Sequence, residues 1–538
     1  MKLVLALILT IPAFAQRGAP KAQSAPEPGI PVTDPLVIEK CSGCHHQDDQ
    51  GNLSRISWER TTPEGWEQAI KRMVRLNGLT LKPEEARAIV KSLSATHGLA
   101  PEEARPVMYI PERRLIDESV PNDSIRQACA SCHPIGRARS WRRSKDEWDL
   151  LVAMHRGYFT VAEQSFRGGG GRNGPQPAPQ STENARPAVD QAIEYLSKDF
   201  PLSTPEWAAW RARMRAPKLS GRWLISGYQA GRGIVTGEMQ IEPGASEDEF
   251  AANVKLTYVK DGTAVTRSSK SVVFSGYSWR GRSSDWREVM WIAPDQSAME
   301  GRWFWGAYDE FGMDVTLRRA SDGVSVLSAD RSMLQAGSTA QRVQIFGDNF
   351  SNLIVADLDF GSGVSVKRIV DQAPQRVTVE VDVDTKAIAG KRDISVRRAV
   401  APNAIAVYNA IDHIKVAPDT AIARLGGTTF PKGFQQFEAI AYDHQVELGP
   451  VDAEWSVEEF YSVYGDDDKE FVGTLSASGL FTPNVEGPNP KRRFSRNNYG
   501  DVWVVATYKN GDTTLTAKSY LVVAVPLYVR WDQPEVAQ

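Results

Sequence analysis

Cysteine is scarce in this chain, with four in 538 residues. All four fall in two five-residue phrases, Cys41-Ser42-Gly43-Cys44-His45 and Cys129-Ala130-Ser131-Cys132-His133. No thiol is left over for a disulfide framework, and no second cysteine pair accompanies either phrase to complete a zinc site. Histidine is scarce too, at seven residues. Long apolar runs are missing: the longest, Leu3 to Phe14, is too short to span a bilayer. A formal charge of −3 gives no electrostatic ground for nucleic acid or an anionic membrane as partner. The C-terminal half offers no nucleophile motif, metal-ligand cluster or phosphate-cradling loop. Gly231-Arg232-Gly233 alone does not make a nucleotide site.

What the two phrases share is C-x-x-C-H, the attachment pattern of c-type haem. Two residues between the cysteines let both sulfurs meet one edge of a porphyrin, and the adjoining histidine reaches the iron as its first axial ligand. Two copies that use every cysteine point to two covalently bound haem c groups. Cys41 and Cys44 act with His45, and Cys129 and Cys132 with His133. In bacteria c-type haem is attached outside the cytoplasm, so the chemistry fits an exported protein. Lys2, the apolar run and Ala13-Phe14-Ala15 form a cleavable signal peptide over residues 1–15. The expected mature chain is periplasmic, without a membrane span. Residues 16–35, rich in Pro, Ala and Gln, read as a flexible leader.

Residues 36–215 carry helical periodicity around each phrase, beginning with a short helix that delivers Cys41. Thr62 with Pro63 starts a helix whose Trp66, Ala69, Ile70, Met73 and Val74 fall on one buried stripe. A second helix runs from Lys82-Pro83 to His97-Gly98. This pattern resembles a small class I cytochrome c. The second phrase repeats it. Ser140-Trp141 answers Ser57-Trp58, and Trp148, Leu151, Val152 and His155 occupy i, i+3, i+4 and i+7. Laying Trp148 on Trp66 puts His155 at the place of Met73, with Met154 about 100° round the helix and off the stripe.

The repeat assigns the sixth ligands: Met73 to the first iron and His155 to the second. His97 competes with Met73; its other role is a basic residue at a helix C-terminus. His46 points away from the site. A His/Met haem sits at higher potential than a His/His haem in similar surroundings, so electrons run from the second haem to the first unless burial reverses the order. Two protein ligands on each iron leave no position for substrate, which favours electron transfer over peroxidase chemistry. An irregular loop, Gly168 to Pro175, precedes a closing helix from Ala185 to Leu196. The basic run Arg137, Arg139, Arg142, Arg143 and Lys145 has two readings. One is a solvated face; the other is a cluster that screens haem propionates or docks an acidic acceptor.

From Gly221-Arg222-Trp223 onward the period changes from 3.6 to 2. Residues 218–322 read as an antiparallel β-barrel or sandwich. Asp261-Gly262 suits a type I′ hairpin turn, and the aromatic strand Arg302–Tyr308 serves either core or partner interface. Residues 323–410 resemble, at Gly337-Ser338-Thr339 and Val343 to Phe350, the opening of an IPT-type immunoglobulin-like domain. Residues 411–538 read as a last immunoglobulin-like sandwich. His413 and His444 stand isolated and read as structural. The expected fold class is therefore multidomain: a helical tandem dihaem cytochrome c, a β-barrel or sandwich, and two immunoglobulin-like β-sandwiches.

In that order, the two C-x-x-C-H phrases, the Trp66–Met73 and Trp148–His155 helices and the aromatic strand resemble the α subunit of quinohemoprotein amine dehydrogenase. The resemblance implies a periplasmic heterotrimer. A β-propeller subunit and a small γ subunit bearing cysteine tryptophylquinone oxidise primary amines to aldehyde and ammonia. The α subunit takes the electrons and passes them to a soluble cupredoxin or cytochrome c. The quinone cannot lie in this chain, whose cysteines are committed to haem, and no residue of the amine chemistry is expected here. Two other readings share the same residues: a dihaem carrier for another periplasmic dehydrogenase, and a cell-surface electron conduit.

Overall fold

A computed structural model describes residues 27–108, 120–167 and 186–526. The signal peptide, the first part of the leader, the Gly168–Pro175 loop and residues 527–538 lie outside them.

Capping chemistry sets the first unit. Helix α1 (Pro35–Cys41) starts at Asp34, whose Oδ1 accepts from the amides of Leu36 and Val37 at 2.8 and 3.2 Å. It ends on Cys41, so the first thiol is fixed by a helix terminus. After strand β1 (Glu59–Thr61), helix α2 (Pro63–Asn77) starts at N-cap Thr62 and stops at Gly78, which takes the left-handed φ of 73° that a helix end favours. Helix α3 (Pro83–Thr96) packs on both.

The leader departs from its expected flexibility between residues 27 and 34. Ile30 donates its amide to Ser57, Val32 to Gly51, and the Trp58 indole donates to the Glu27 carbonyl at 2.7 Å. Val32 is buried in the core of the first unit. The cause is hydrophobic burial backed by satisfied backbone groups, which composition alone does not reveal. The α2 stripe also departs. It is buried at Trp66, half-buried at Ala69, Ile70 and Met73, and open at Val74. The last turns of α2 border a cavity in the second unit, rather than close-packed protein.

The second unit repeats the device. The Lys145–Tyr158 helix starts at N-cap Ser144, and the Ala188–Asp199 helix packs across it, with Pro187 just outside its first turn. Strand β2 (Trp141–Arg143) pairs antiparallel with β1, and Arg60 lies opposite Arg142. These two arginines are equivalents in the Trp66/Trp148 alignment, so the units meet about a local two-fold axis. Both guanidinium groups converge on Glu103 in the short Pro101–Ala104 helix, at 2.9 and 3.1 Å for Arg60 and 3.1 Å for Arg142. The basic run is thus no solvated face: Arg142 and Arg143 are buried, Arg137 and Arg139 half-buried, and only Lys145 of the run is exposed.

The β half opens with a closed barrel of eight antiparallel strands. They run from Gly221–Gln229 to Phe311–Arg319, and the last pairs with the first. Trp223, Trp279 and Trp303 are sealed inside it; along the aromatic strand Trp303 and Trp305 pack on that core, Phe304 packs with Met108 in a separate cluster, and Tyr308 donates to the Pro431 carbonyl of the last domain. Its hairpin at Asp261-Gly262 is a five-residue loop and not the expected two-residue turn, because only Gly262 takes a positive φ and type I′ needs two such residues. The barrel docks on the first unit. Ser275 Oγ donates to the Ser94 carbonyl at 2.6 Å, Tyr277 to the Leu99 carbonyl at 2.9 Å, and Arg280 pairs with Glu64. Two β domains follow. The first, Ser325 to Tyr408, has two four-stranded sheets; the second, His413 to Ala524, has sheets of four, three and three strands. His413 and His444 are not isolated: their Nδ1 atoms lie 2.6 and 3.3 Å from Asp412.

Candidate functional site

A cavity of about 230 Å³ opens beside the second motif. Cys129 reaches it from a π turn (Arg126–Ala130), a device frequent at functional sites. Cys132, His133 and, from the facing Lys145–Tyr158 helix, His155 complete the set. His133 Nδ1 donates to the Pro134 carbonyl at 2.9 Å, and His155 Nδ1 to the Leu151 carbonyl one turn back at 2.8 Å. Each bond fixes the neutral tautomer in which Nε2 carries the lone pair, as in metal-ligating histidines generally. Burial holds His155 below the ordinary imidazole range.

The spacing of the rings suits a shared metal. A metal–imidazole bond of about 2 Å, with about 1.2 Å from nitrogen to ring centre, puts two trans imidazoles about 6.4 Å apart. The His133 and His155 ring centroids lie 6.5 Å apart. The walls suit a porphyrin: they are mostly apolar, with Leu151, Val152, Phe166 and Ile193 among them. Arg72, Arg75, Arg137 and Arg143 also line the cavity, and no carboxylate does among the described residues. An apolar ring carrying two carboxylates is the ligand that such a wall complements. Burial pushes the Cys129 thiol up to about 12, which suits a neutral thioether better than a thiolate ligand to zinc. The residues fit haem.

Two features of this wall were not legible in the sequence. Arg72 and Arg75 come from α2 of the first unit, so the second site is built by both halves. Met154, expected off the stripe, also lines the cavity, because the site wraps more than one face of its helix. The i, i+3 spacing of Arg72 and Arg75 on the side of α2 away from Ile70 is the one hint that this helix serves two sites.

At the first motif the histidine ring is fixed in the same way. His45 Nδ1 donates to the Ser54 carbonyl at 2.8 Å. Cys41 packs on the core of Trp66, Ile89, Val90 and Leu93, where Ala69 and Ile70 also pack. Met73 lies one turn further along that face of α2, half-buried. Cys44 is exposed, and burial, with the neighbouring Cys44, pushes the Cys41 thiol up to about 11. His46 is exposed beside His45.

His97 is spoken for. It is fully buried, its Nε2 donates to the Ile30 carbonyl at 3.0 Å, and its Nδ1 accepts from the Thr96 hydroxyl at 2.8 Å. Burial drives it down to about 4. With both nitrogens engaged inside the core, His97 anchors the leader and leaves Met73 as the candidate on α2.

Fold and site together define a haem-binding protein with a helical head and three β domains, and four family models agree. The model for the haem-binding region of the quinohemoprotein amine dehydrogenase A alpha subunit matches residues 32–173. Models for alpha-subunit domains II, III and IV match residues 216–320, 325–409 and 414–536. The chain belongs to the alpha-subunit family of quinohemoprotein amine dehydrogenase, an amine-oxidising oxidoreductase. No curated protein matches the chain. Among solved structures, a redesigned beta barrel aligns over 19% of this chain and 92% of its own, at 15% identity and a TM-score of 0.16. Mouse clustered protocadherin PcdhgC3 EC1-3 aligns over 45% and 75%, at 11% identity and 0.17. Likenesses so slight do not bear on the fold.

Proposed function

We propose that this chain is the electron-transfer and scaffold subunit of a periplasmic amine dehydrogenase. It takes electrons from a quinone on a partner subunit during oxidative deamination of primary amines and passes them to a soluble cupredoxin or cytochrome c. The observation that carries this reading is the His133–His155 pair, 6.5 Å apart across a cavity that also holds Cys129 and Cys132. Covalently bound haem c supplies a one-electron ferric/ferrous couple at each site.

The residues then divide the work. Cys41 and Cys44 would hold one porphyrin and Cys129 and Cys132 a second, with His45 and Met73 supplied to the first iron and His133 and His155 to the second. Backbone carbonyls of Ser54, Pro134 and Leu151 orient three of those four ligands. The thioether of Met73 favours the ferrous state, so the first site takes electrons from the second. Because every cysteine serves haem, the cysteine tryptophylquinone belongs to a small γ subunit, held with a β-propeller subunit. No described helix is long and apolar enough to cross a membrane. Residues 1–15 direct export to the periplasm.

The test is a native pull-down of the tagged chain from its host periplasm. Co-purification of a propeller and a small quinone-bearing chain, with haem reduction on adding a simple aliphatic amine, is expected. Recovery with a different dehydrogenase would overturn the amine reading. In the same preparation His155→Ala should abolish the bis-histidine electron paramagnetic resonance signal of one haem. Its persistence would remove His155 from the ligand set.

A further inference from the structure

Five of the seven histidines lie in the helical head. The other two, His413 and His444, each follow an aspartate, and folding brings the two Asp-His dipeptides together. Strand His413–Ala417 pairs antiparallel with strand Glu438–Asp443, placing His413 opposite Tyr442. His444 then opens the turn to strand Val446–Val451 with a left-handed φ of 55°. Its Nδ1 lies 2.7 Å from Asp443 Oδ1 and 3.3 Å from Asp412 Oδ2. One donor atom from each of these three residues lies within 4.8 Å of the others. The remaining oxygens are held from behind. His413 Nδ1 lies 2.6 Å from Asp412 Oδ1, its ring stacked on Tyr442 at 4.9 Å, and the Asn409 amide donates to Asp443 Oδ2 at 2.7 Å. A hydrogen-bonded turn explains either Asp–His contact singly. It does not call for both dipeptides to converge on Asp412.

We infer that Asp412, Asp443 and His444 bind a divalent transition cation of the zinc class, with His413 positioning Asp412. Bonds of about 2.0–2.2 Å put neighbouring ligand atoms about 2.9–3.5 Å apart. The Asp412 contact already has that spacing, and the Asp443 contact reaches it by opening a few tenths of an ångström. Two carboxylates alone would suit calcium or magnesium; the imidazole nitrogen turns the preference toward zinc and its neighbours. The cation takes the place of the proton on Nδ1, which the ring carries on its other nitrogen instead, and its charge offsets both carboxylates. The bonds from His413 and Asn409 orient those carboxylates as outer partners of metal ligands do. His444 is exposed, so water completes the coordination. Residues 409–412 join the last two β domains, which end and begin at Tyr408 and His413. A cation here pins that linker to the His444 turn, a cross-link at the domain junction. Nothing in this site depends on the haem ligands.

The test is calorimetric titration of the haem-loaded full chain with zinc, after chelator treatment and without an oligohistidine tag. One zinc per chain is expected. His444→Ala and Asp412→Asn should each abolish that binding. His413→Phe keeps a ring to stack on Tyr442 and removes only the donor to Asp412; it should weaken binding about 10–100-fold. His46, exposed beside the first haem motif, is the competing surface ligand, and His46→Ala should change nothing. Calcium in place of zinc should bind at least about tenfold more weakly. The haem absorbance should be the same in every variant, so the result is read apart from the haem assignments. If Asp412→Asn does not fold, His444→Ala decides, since that side chain lies at the surface. No zinc uptake by the wild-type chain, or uptake that survives His444→Ala, overturns the site. Calcium binding as tight as zinc overturns the class of cation.

Discussion

Glu103 is where the two haem units can be separated with one substitution. Its carboxylate, 9% exposed, accepts from Arg60 at 2.9 and 3.1 Å and from Arg142 Nε at 3.1 Å. The Thr204 hydroxyl and the Ala100 amide complete its shell at 2.9 and 2.8 Å. Arg60 is fully sealed from solvent. Glu103→Gln therefore leaves two guanidinium ions facing a neutral amide in a low-dielectric interior. Breaking a buried ion pair from one side costs about 3–5 kcal/mol. A region of this size loses about 2–4 °C per kcal/mol, so the helical head should melt about 6–20 °C lower. The pH dependence follows. Burial alone would raise the Glu103 pKa, but Arg60 and Arg142 outweigh it and hold the carboxyl below its ordinary 4.5. A depressed carboxylate contributes stability above 4.5 that is lost as pH falls through the folded value, and the glutamine variant should lack that acid limb. Thermal unfolding of the haem-loaded chain, followed at the Soret band between pH 7 and pH 3, measures both. Arg60→Met with Glu103→Leu and Arg142→Met should recover most of the loss, since apolar replacements of buried ion triads are often neutral. A Glu103→Gln midpoint within about 2 °C of wild type at pH 7 would refute the reasoning.

Three further outcomes are expected. Met73→His should lower the potential of the first haem and erase its methionine–iron charge-transfer band, and an unchanged spectrum would send the sixth ligand elsewhere. His97→Gln should leave both haem spectra intact and cost about 1–3 kcal/mol by loosening the leader; loss of the first haem's sixth ligand in that variant would reinstate His97. Burial first, then the negative charge of Glu59, raises Glu147 to about 7 in spite of Arg55 and Arg143. A raised carboxyl gives stability that is full below 4.5 and falls as pH rises toward 7. Glu147→Gln should remove that fall, so denaturant melts at pH 5 and pH 8 should converge for the variant; an unchanged difference between the two would count against it.

The parts of the site that could be read from residues alone are those governed by local spacing. C-x-x-C-H fixes two thiols and an imidazole within five residues, and the 3.6-residue period carries that frame one helix further, to His155, which lies across the cavity from His133. The repeat supplied what one copy could not, because matching Trp148 to Trp66 put a histidine at the position of a methionine. What stayed hidden depends on the antiparallel meeting of β1 and β2. Once Arg60 faces Arg142, Glu59 necessarily faces Arg143, and a run that looks like solvated charge becomes the buried seam between two units. A one-dimensional charge pattern cannot distinguish these cases, since a paired guanidinium and a hydrated one have the same neighbours in sequence.

That seam also accounts for the mixed origin of the second cavity. In a lone cytochrome unit the far side of α2 would face water, and Arg72 and Arg75 would be its solubilising charges. The two-fold contact turns that side toward Cys129 and His133, so the same arginines become cavity wall. Charge placement then differs between sites that share one motif. Among the described residues the second cavity gathers four arginines and no carboxylate, which would favour ferrous iron there, while the proposed bis-histidine ligation would favour ferric. On the proposed ligand sets the two effects oppose each other at the second site, so the gap between the two couples should be smaller than ligand type alone would set. Neutralising the wall widens that gap, and replacing Met73 by histidine closes it. Measuring both couples in both variants separates what the ligands contribute from what the seam contributes.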